Sequence, residues 1–362
     1  MTVGYFLLLL SFCTISFSFT MFQQRAVIRG SQLLMRSSKP TMSRCRSLAL
    51  VMMCARPVVS FLPSWNVPQS TATTRRYLSS TTTPEDYSKY SHLPRVFCDT
   101  PTLATKSLIT LDPSQAHYLS VMRLTSQKRW GDLAGHLRVF NGKDGEWLAR
   151  LVVTESTSSV NKKRRRDDET AIIECIETLV VQPPLSKTQV QLYITSLKKP
   201  RRKWVLEKAT ELGVSAIHFL DTQLAQIYND MDHEKNLAHI LEAAEQCERC
   251  TLPQVSETML PFTELVKKIQ DDSSGSWLLC RERSPTSVPL LTALQQTSSA
   301  AGDIHLLVGP EGGWSPEELQ QLDELASNRV RSVSLGPLVL RAETAAISAV
   351  AACMLHQEAT EE

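Results

Sequence analysis

The sequence predicts an α/β protein, a parallel sheet covered by helices and preceded by a smaller domain of short strands. Three observations carry this. From residue 190 onward, apolar runs of strand length alternate with segments of helical period, the pattern of a parallel sheet with crossover helices. Residues 94–181 instead hold short apolar runs separated by turn residues, and Pro183 and Pro184 divide the two regions. The chain, at 362 residues, exceeds one average domain, and 42% hydrophobic with 21% charged residues suits a globular body with a sizeable core.

Residues 1–84 come first and differ in composition. They hold nine of the 39 Lys and Arg and no Asp or Glu, so the remaining 30 basic residues face 37 acidic ones and the body carries about −7. An Arg-, Ser- and Thr-rich leader without acids is the composition of an organelle transit peptide. The stretch Arg76-Tyr77-Leu78-Ser79-Ser80 is similar to a mitochondrial processing site and favours the mitochondrion. The apolar run 5–19 resembles a signal-peptide core, which would suit a plastid (chloroplast) behind extra membranes; Met21 as the true start is a further reading. That run is shorter than the ~20 residues of a membrane span, and no membrane association is expected. The nine scattered cysteines suggest a reducing compartment. Cys247 and Cys250 form a lone C-x-x-C on a helix, better suited to packed thiols than to zinc, and no metal is expected.

The small domain is expected over 92–183. Strands are predicted at 137–140, 147–153 and 171–181, with Asn141-Gly142 and Asp144-Gly145 supplying turn chemistry between the first two. A short helix is predicted at 112–123, its apolar side marked by Ala116, Leu119, Val121 and Met122. The polar insertion 155–170 contains Lys162 to Arg166, a solvated hairpin loop, a nuclear address or an RNA-binding patch.

The second domain is expected over 187–358. Strands are predicted at 190–195, 216–220, 277–280, 304–308 and 330–335, and helices at 200–212, 234–249, 316–327 and 343–357. Gly213 stops the first helix. Ser315-Pro316-Glu317-Glu318 combines an N-cap, a proline in the first helical position and a capping-box glutamate. Leu237, Ile240, Leu241 and Ala244 mark one core-facing helix stripe. The run Lys198-Lys199-Pro200-Arg201-Arg202-Lys203 is either a solvated helix start or an RNA-facing patch.

Two glycine–proline loops follow the last strands, Val308-Gly309-Pro310-Glu311-Gly312-Gly313-Trp314 and Leu335-Gly336-Pro337-Leu338-Val339-Leu340-Arg341. Open α/β sheets bind ligands beyond the carboxyl ends of their strands, where glycine lets backbone groups approach closely. Neither loop fits a phosphate-binding glycine motif, and Glu311 would repel phosphate, so an adenosyl ligand without phosphate suits them better. Two tight turns on adjacent strand ends are the bland alternative. Beyond them, Arg341 could orient a phosphate or carboxylate. Glu343 could position or accept a proton, or simply sit favourably at a helix N-terminus.

These segments resemble a known family. EKATELGV at 207–214, EAAEQCER at 242–249, LVGPEGGWS at 307–315 and LGPLVLRAETA at 335–345 stand in the order found in SPOUT-class (knotted) RNA methyltransferases, and within them the RsmE-type 16S rRNA uracil-N3 methyltransferases. LPRVF at 93–97, His117 to Leu124 and Phe140-Asn141-Gly142 match more loosely the family's PUA-like β-barrel. The resemblance covers about residues 92–357. It implies a trefoil knot near the C-terminus and a homodimer. S-adenosyl-L-methionine would be held by Leu307, Gly309, Pro310, Glu311, Gly312, Leu335, Gly336, Leu340 and Arg341. Arg341 and Glu343 become the catalytic candidates, and Arg95, Arg123, Lys208, Glu245, Gln246 and Arg249 the RNA-binding ones. Where the family carries an acidic–Arg–small stretch, this chain reads Thr222-Gln223-Leu224-Ala225, and Lys208 or Arg249 would have to compensate.

The implied reaction is methylation of a uridine N3 in organellar small-subunit rRNA. Once deprotonated, N3 is itself the nucleophile, so no covalent cysteine intermediate is required and positioning supplies much of the acceleration. Two other readings use the same fold: methylation of another RNA atom, such as a ribose 2′-hydroxyl, or a ribosome-assembly factor without turnover.

Overall fold

The computed structural model describes residues 82–156, 169–225, 231–297, 302–325 and 329–360. The leader 1–81 and the basic stretch 157–168 of the insertion lie outside the described residues.

The N-terminal lobe is one mixed sheet with helices at its side. After helix α1 (Pro84–Tyr90) come β1 (Arg95–Phe97), β2 (Leu108–Leu111), α2 (Pro113–Val121), α3 (Gln127–Trp130), β3 (His136–Phe140), β4 (Glu146–Ser156) and β5 (Glu169–Val180). The strand order is β1-β3-β4-β5-β2, with β1 parallel to β3 and the other pairs antiparallel. The β3–β4 turn forms where expected: Asn141 Oδ1 accepts from the Lys143 and Asp144 amides at 3.0 and 2.9 Å. Gly145 closes it at φ +77°, where a Cβ would stand 2.0 Å from the Val180 carbonyl oxygen. Asp112 caps α2 in a reciprocal box with Gln115. Val96, Leu111, Leu119, Leu137, Val139 and Ile173 form the core of this lobe.

The second lobe is an eight-stranded parallel sheet. Its elements run β6 (Val190–Thr195), α4 (Lys199–Leu212), β7 (Ala216–Asp221), α5 (His233–Gln246), β8 (Gln254–Val255), β9 (Leu260–Pro261), α6 (Phe262–Asp271), β10 (Ser276–Cys280), β11 (Val288–Pro289), α7 (Leu290–Gln295), β12 (Ile304–Val308), α8 (Pro316–Leu325), β13 (Val330–Ser334) and α9 (Ala342–Thr360). Strands follow the order β11-β13-β10-β12-β6-β7-β8, with β9 also on β7. Covering both faces explains why β6, β10 and β12 read as nearly unbroken apolar runs. One face packs on α4, α7 and α9 through Leu192, Ile194, Leu206, Leu294, Ala346 and Val350. The other packs on α6 and α8 through Leu265, Ile269, Leu307 and Leu322, joined by two stacked pairs, Tyr193 on His218 at 4.4 Å and Trp277 on His305 at 4.0 Å. Gly213 ends α4 in the left-handed conformation, and Ser315 and Glu318 cap α8 reciprocally at 3.1 and 2.9 Å, both as the sequence predicts.

Candidate functional site

Three parallel neighbours, β13, β10 and β12, end at one edge of the sheet, and the loops leaving them enclose a cavity of about 290 Å³. The two glycine–proline loops form opposite walls. Their strands are not adjacent, as the sequence had suggested, because β10 lies between them. The third wall is therefore Cys280, Arg281, Glu282 and Arg283, a loop with no Gly-Pro signature to mark it. It is tied to its neighbours: the Leu340 amide donates to Glu282 Oε1 at 2.9 Å, and Arg281 pairs with Asp323 of α8 at 2.7 Å.

Gly309 is required by packing. A Cβ there would stand 2.5 Å from Trp314 Nε1, because the indole lies directly against the loop backbone. Trp314 itself lines the cavity, is 8% exposed, and its Nε1–H finds no acceptor among the described residues. Gly336, at φ +126°, turns the second loop in a conformation that side chains resist. The walls carry charges of both signs, Glu282 and Glu311 against Arg281 and Arg283, with Glu311 paired to Arg201 and Arg281 to Asp323.

Of the residues expected to hold a cofactor, Gly309, Pro310, Glu311, Leu335, Gly336 and Leu340 line this cavity. Three do not. Leu307 is fully buried, and its side chain belongs to the core against α6 and α8 because strand residues alternate faces. Gly312 faces Leu224, whose Cβ lies 3.6 Å from where its own would be. Arg341 is exposed beyond the lining and forms no ion pair among the described residues.

Glu343 lies in the first turn of α9, between Ala342 and Ala345 of the cavity wall. Its Oε1 meets Arg201 Nε at 3.3 Å, while its buried Oε2 has no partner among the described residues. Arg201 also pairs with Glu311 of the first loop and so joins α4, that loop and α9. The sequence left Arg201 inside a basic run readable as a solvated helix start. The run is in fact divided, with Arg202 buried and Lys198 and Lys203 exposed. The hydroxyls of Thr195, Ser196 and Thr222, just at or after β6 and β7, are also buried without partners among the described residues.

The residues expected to bind RNA divide differently. Arg95 is 4% exposed: it pairs with Glu146, donates to the Ala244 carbonyl at 2.7 Å and the Arg249 carbonyl at 2.9 Å, and lies 3.7 Å over the Phe140 ring. Burial alone would raise the Glu146 pKa, but the guanidiniums of Arg138 and Arg95 hold it below the usual carboxylate range. Arg249 donates to Thr210 O at 3.0 Å and Val214 O at 2.6 Å, satisfying carbonyls at the end of α4, and burial lowers its pKa to about 10. Glu245 accepts from the Phe97 amide at 2.9 Å. These three residues join the two lobes or bond carbonyls after a helix, so their polar atoms already have partners within the protein. Lys208 pairs with Glu211 at 2.6 Å on the surface, and Gln246, at the end of α5, and Arg123 are exposed. Cys250, the second cysteine of the C-x-x-C, is a buried thiol 3.7 Å from Arg95 Nη2.

The family model described as an RNA methyltransferase domain matches residues 184–354. The chain is 31% identical over 216 residues to the ribosomal RNA small subunit methyltransferase E of Rickettsia conorii, covering 59% of this chain and 78% of that protein. To the protein of the same name from Synechocystis it is 30% identical over 302 residues, covering 82% of this chain and 89% of that one. The fold is similar to a crystal structure of ribosomal RNA small subunit methyltransferase E from Neisseria gonorrhoeae bound to S-adenosyl methionine, with a TM-score of 0.57, 24% identity, and coverage of 72% of this chain and 96% of that one.

Proposed function

The chain belongs to the ribosomal RNA small subunit methyltransferase E family, and from that premise we propose that it methylates N3 of a uridine in the small-subunit rRNA of an organelle. It is an S-adenosylmethionine-dependent rRNA methyltransferase. The observation that carries the finer reading is the buried Glu343 carboxylate oxygen, unpartnered among the described residues and set between the lining residues Ala342 and Ala345.

The cavity fits the methyl donor. Gly309 lets the Trp314 indole pack against the first loop, Gly336 turns the second at a φ that side chains resist, and neither loop carries the lysine of a phosphate-binding motif. The backbone of 309–311, Leu335, Gly336 and Leu340 would hold the adenosyl part, with the loop from Cys280 as the third wall. When bound, S-adenosylmethionine supplies a methyl group made electrophilic by its sulfonium. Glu343 Oε2 accepts the N3–H of the uracil and takes up its proton, while Arg201 fixes the other carboxylate oxygen. The deprotonated ring spreads negative charge over O2, N3 and O4, and Arg341, exposed and uncommitted among the described residues, offsets it.

In this reading the N-terminal lobe is the PUA-like RNA-binding domain. The return of the chain from β12 to β13 on the far side of β10 is the connectivity from which the family's knot would be tied. A second copy covers Leu338, Val339 and Leu355, which are 74%, 59% and 66% exposed. Residues 1–84 direct the protein to the mitochondrion, or to a plastid in the alternative. Mapping N3-methyluridine in organellar small-subunit rRNA tests the function. Loss of the gene should abolish one modified position, and an unchanged modification map would overturn the proposal.

A further inference from the structure

The N-terminal lobe carries a group of exposed cations outside its ion pairs. Arg95 and Arg138 are buried in ion pairs. Arg123, Lys128 and Arg129, by contrast, are exposed and form no ion pair among the described residues. They gather around one aromatic ring. Trp130 is half-buried, anchored on Tyr87, Leu93 and Leu148, and its Nε1–H is pinned to the Arg123 carbonyl at 3.0 Å. Arg129 lies 4.9 Å from the centre of that ring, and the exposed His92 stacks with it at 6.0 Å and 18° between planes.

We propose that His92, Arg123, Lys128, Arg129 and Trp130 form a stacking platform for an unpaired strand of the substrate RNA. The inference rests on the RNA-methyltransferase reading and deepens it. Exposed cations bind phosphates through counterion release, and a fixed aromatic ring with a guanidinium beside it accepts nucleobases by stacking whatever their sequence. The body of the protein carries about −7, so attraction to RNA must come from local clusters such as this one. An unpaired partner is the one required, because N3 lies on the Watson–Crick edge of uracil and is reached only when the pair is open.

The test compares the full chain with Lys128→Ala/Arg129→Ala, two exposed positions whose loss leaves the core intact. Binding of a labelled single-stranded RNA from the target region, followed by anisotropy across a salt series, should weaken by roughly tenfold. The slope of log K against log salt should fall by about 1.4, two phosphate contacts at ~0.7 each on single strands. Trp130→Phe, which keeps a ring, should bind more tightly than Trp130→Ala if both remain folded. S-adenosylmethionine affinity should be unchanged in the double variant. If wild-type protein methylates RNA and the double variant binds with equal affinity and slope, the platform is overturned while the enzyme stands. Unchanged RNA binding with lost association to intact small subunits would assign the patch to a protein partner and equally overturn it. A wild-type protein that transfers no methyl group to RNA would remove the underlying reading instead.

Discussion

The lobe junction and the strand-end cavity are both built from charged and polar side chains, but they treat them in opposite ways. At the junction the charged groups are paired, although Arg138 Nε has no partner of its own among the described residues. Glu146 sits between Arg95 and Arg138, Arg138 also reaches Glu248 at 2.9 Å, and the remaining Arg95 donors meet backbone carbonyls of the second lobe. At the cavity the groups are held by one end and open at the other: Glu343 by Oε1 but not Oε2, and Trp314 by its ring but not its N–H. A residue type in a motif therefore says little about its role until its bonding capacity is counted. At the junction the charges are bound to one another, whereas at the cavity single groups of Glu343 and Trp314 are left without a partner among the described residues.

The contrast breaks most visibly if the junction is tolerant. Glu146→Ala leaves the buried Arg95 without a carboxylate and Arg138 with Glu248 alone, and should cost about 3–5 kcal/mol in chemical denaturation. A loss below ~1 kcal/mol would show that the junction charges are dispensable. At the cavity, Arg341→Ala should leave unfolding and S-adenosylmethionine affinity unchanged while lowering kcat by roughly 100-fold, the scale of losing one charge-stabilising donor. A changed donor affinity would put Arg341 back among the cofactor contacts.

A third kind of burial sharpens the comparison. His218 and His305 lie uncharged on the opposite face of the same sheet, and burial pushes His218 down from the usual 6.5 to about 4. The unfolded chain then takes up the proton first. Stability is complete above about pH 6.5 and is lost as pH falls toward 4, by roughly 1–3 kcal/mol. Thermal melts across that window, repeated on His218→Phe, should show the slope reduced in the variant, and an identical slope would exclude His218 as its source. Gly309→Ala should weaken donor binding by about tenfold, read by calorimetry, because its methyl group displaces the Trp314 indole. The smallest effect is expected at Lys208→Ala, where an exposed pair with Glu211 should yield less than about 0.5 kcal/mol.

Local chemistry made much of the fold readable in advance. The caps at Ser315 and Gly213, the Asn141 turn and the alternation of strand and helix are each dictated by neighbours in sequence, and each stands where expected. Strand order is different. Placing β10 between the two glycine loops depends on crossover connections that no local pattern encodes, which hid the third wall at Cys280–Arg283. Arg201 was hidden for a related reason. Its partners Glu311 and Glu343 are more than a hundred residues away, and in sequence it is one cation among five. Arg95 and Arg249 show the converse: their motif positions suggested RNA contacts, and the structure places their guanidiniums on protein carbonyls, a long-range pairing that no local pattern encodes.

The most direct measurement gives purified protein and labelled S-adenosylmethionine to small ribosomal subunits lacking the modification, then digests the rRNA to nucleosides. The expected result is label in N3-methyluridine, abolished in Glu343→Gln although that variant still binds the donor. Label in a ribose-methylated nucleoside, or full transfer by Glu343→Gln, would contradict the assignment of the open carboxylate to the N3 proton.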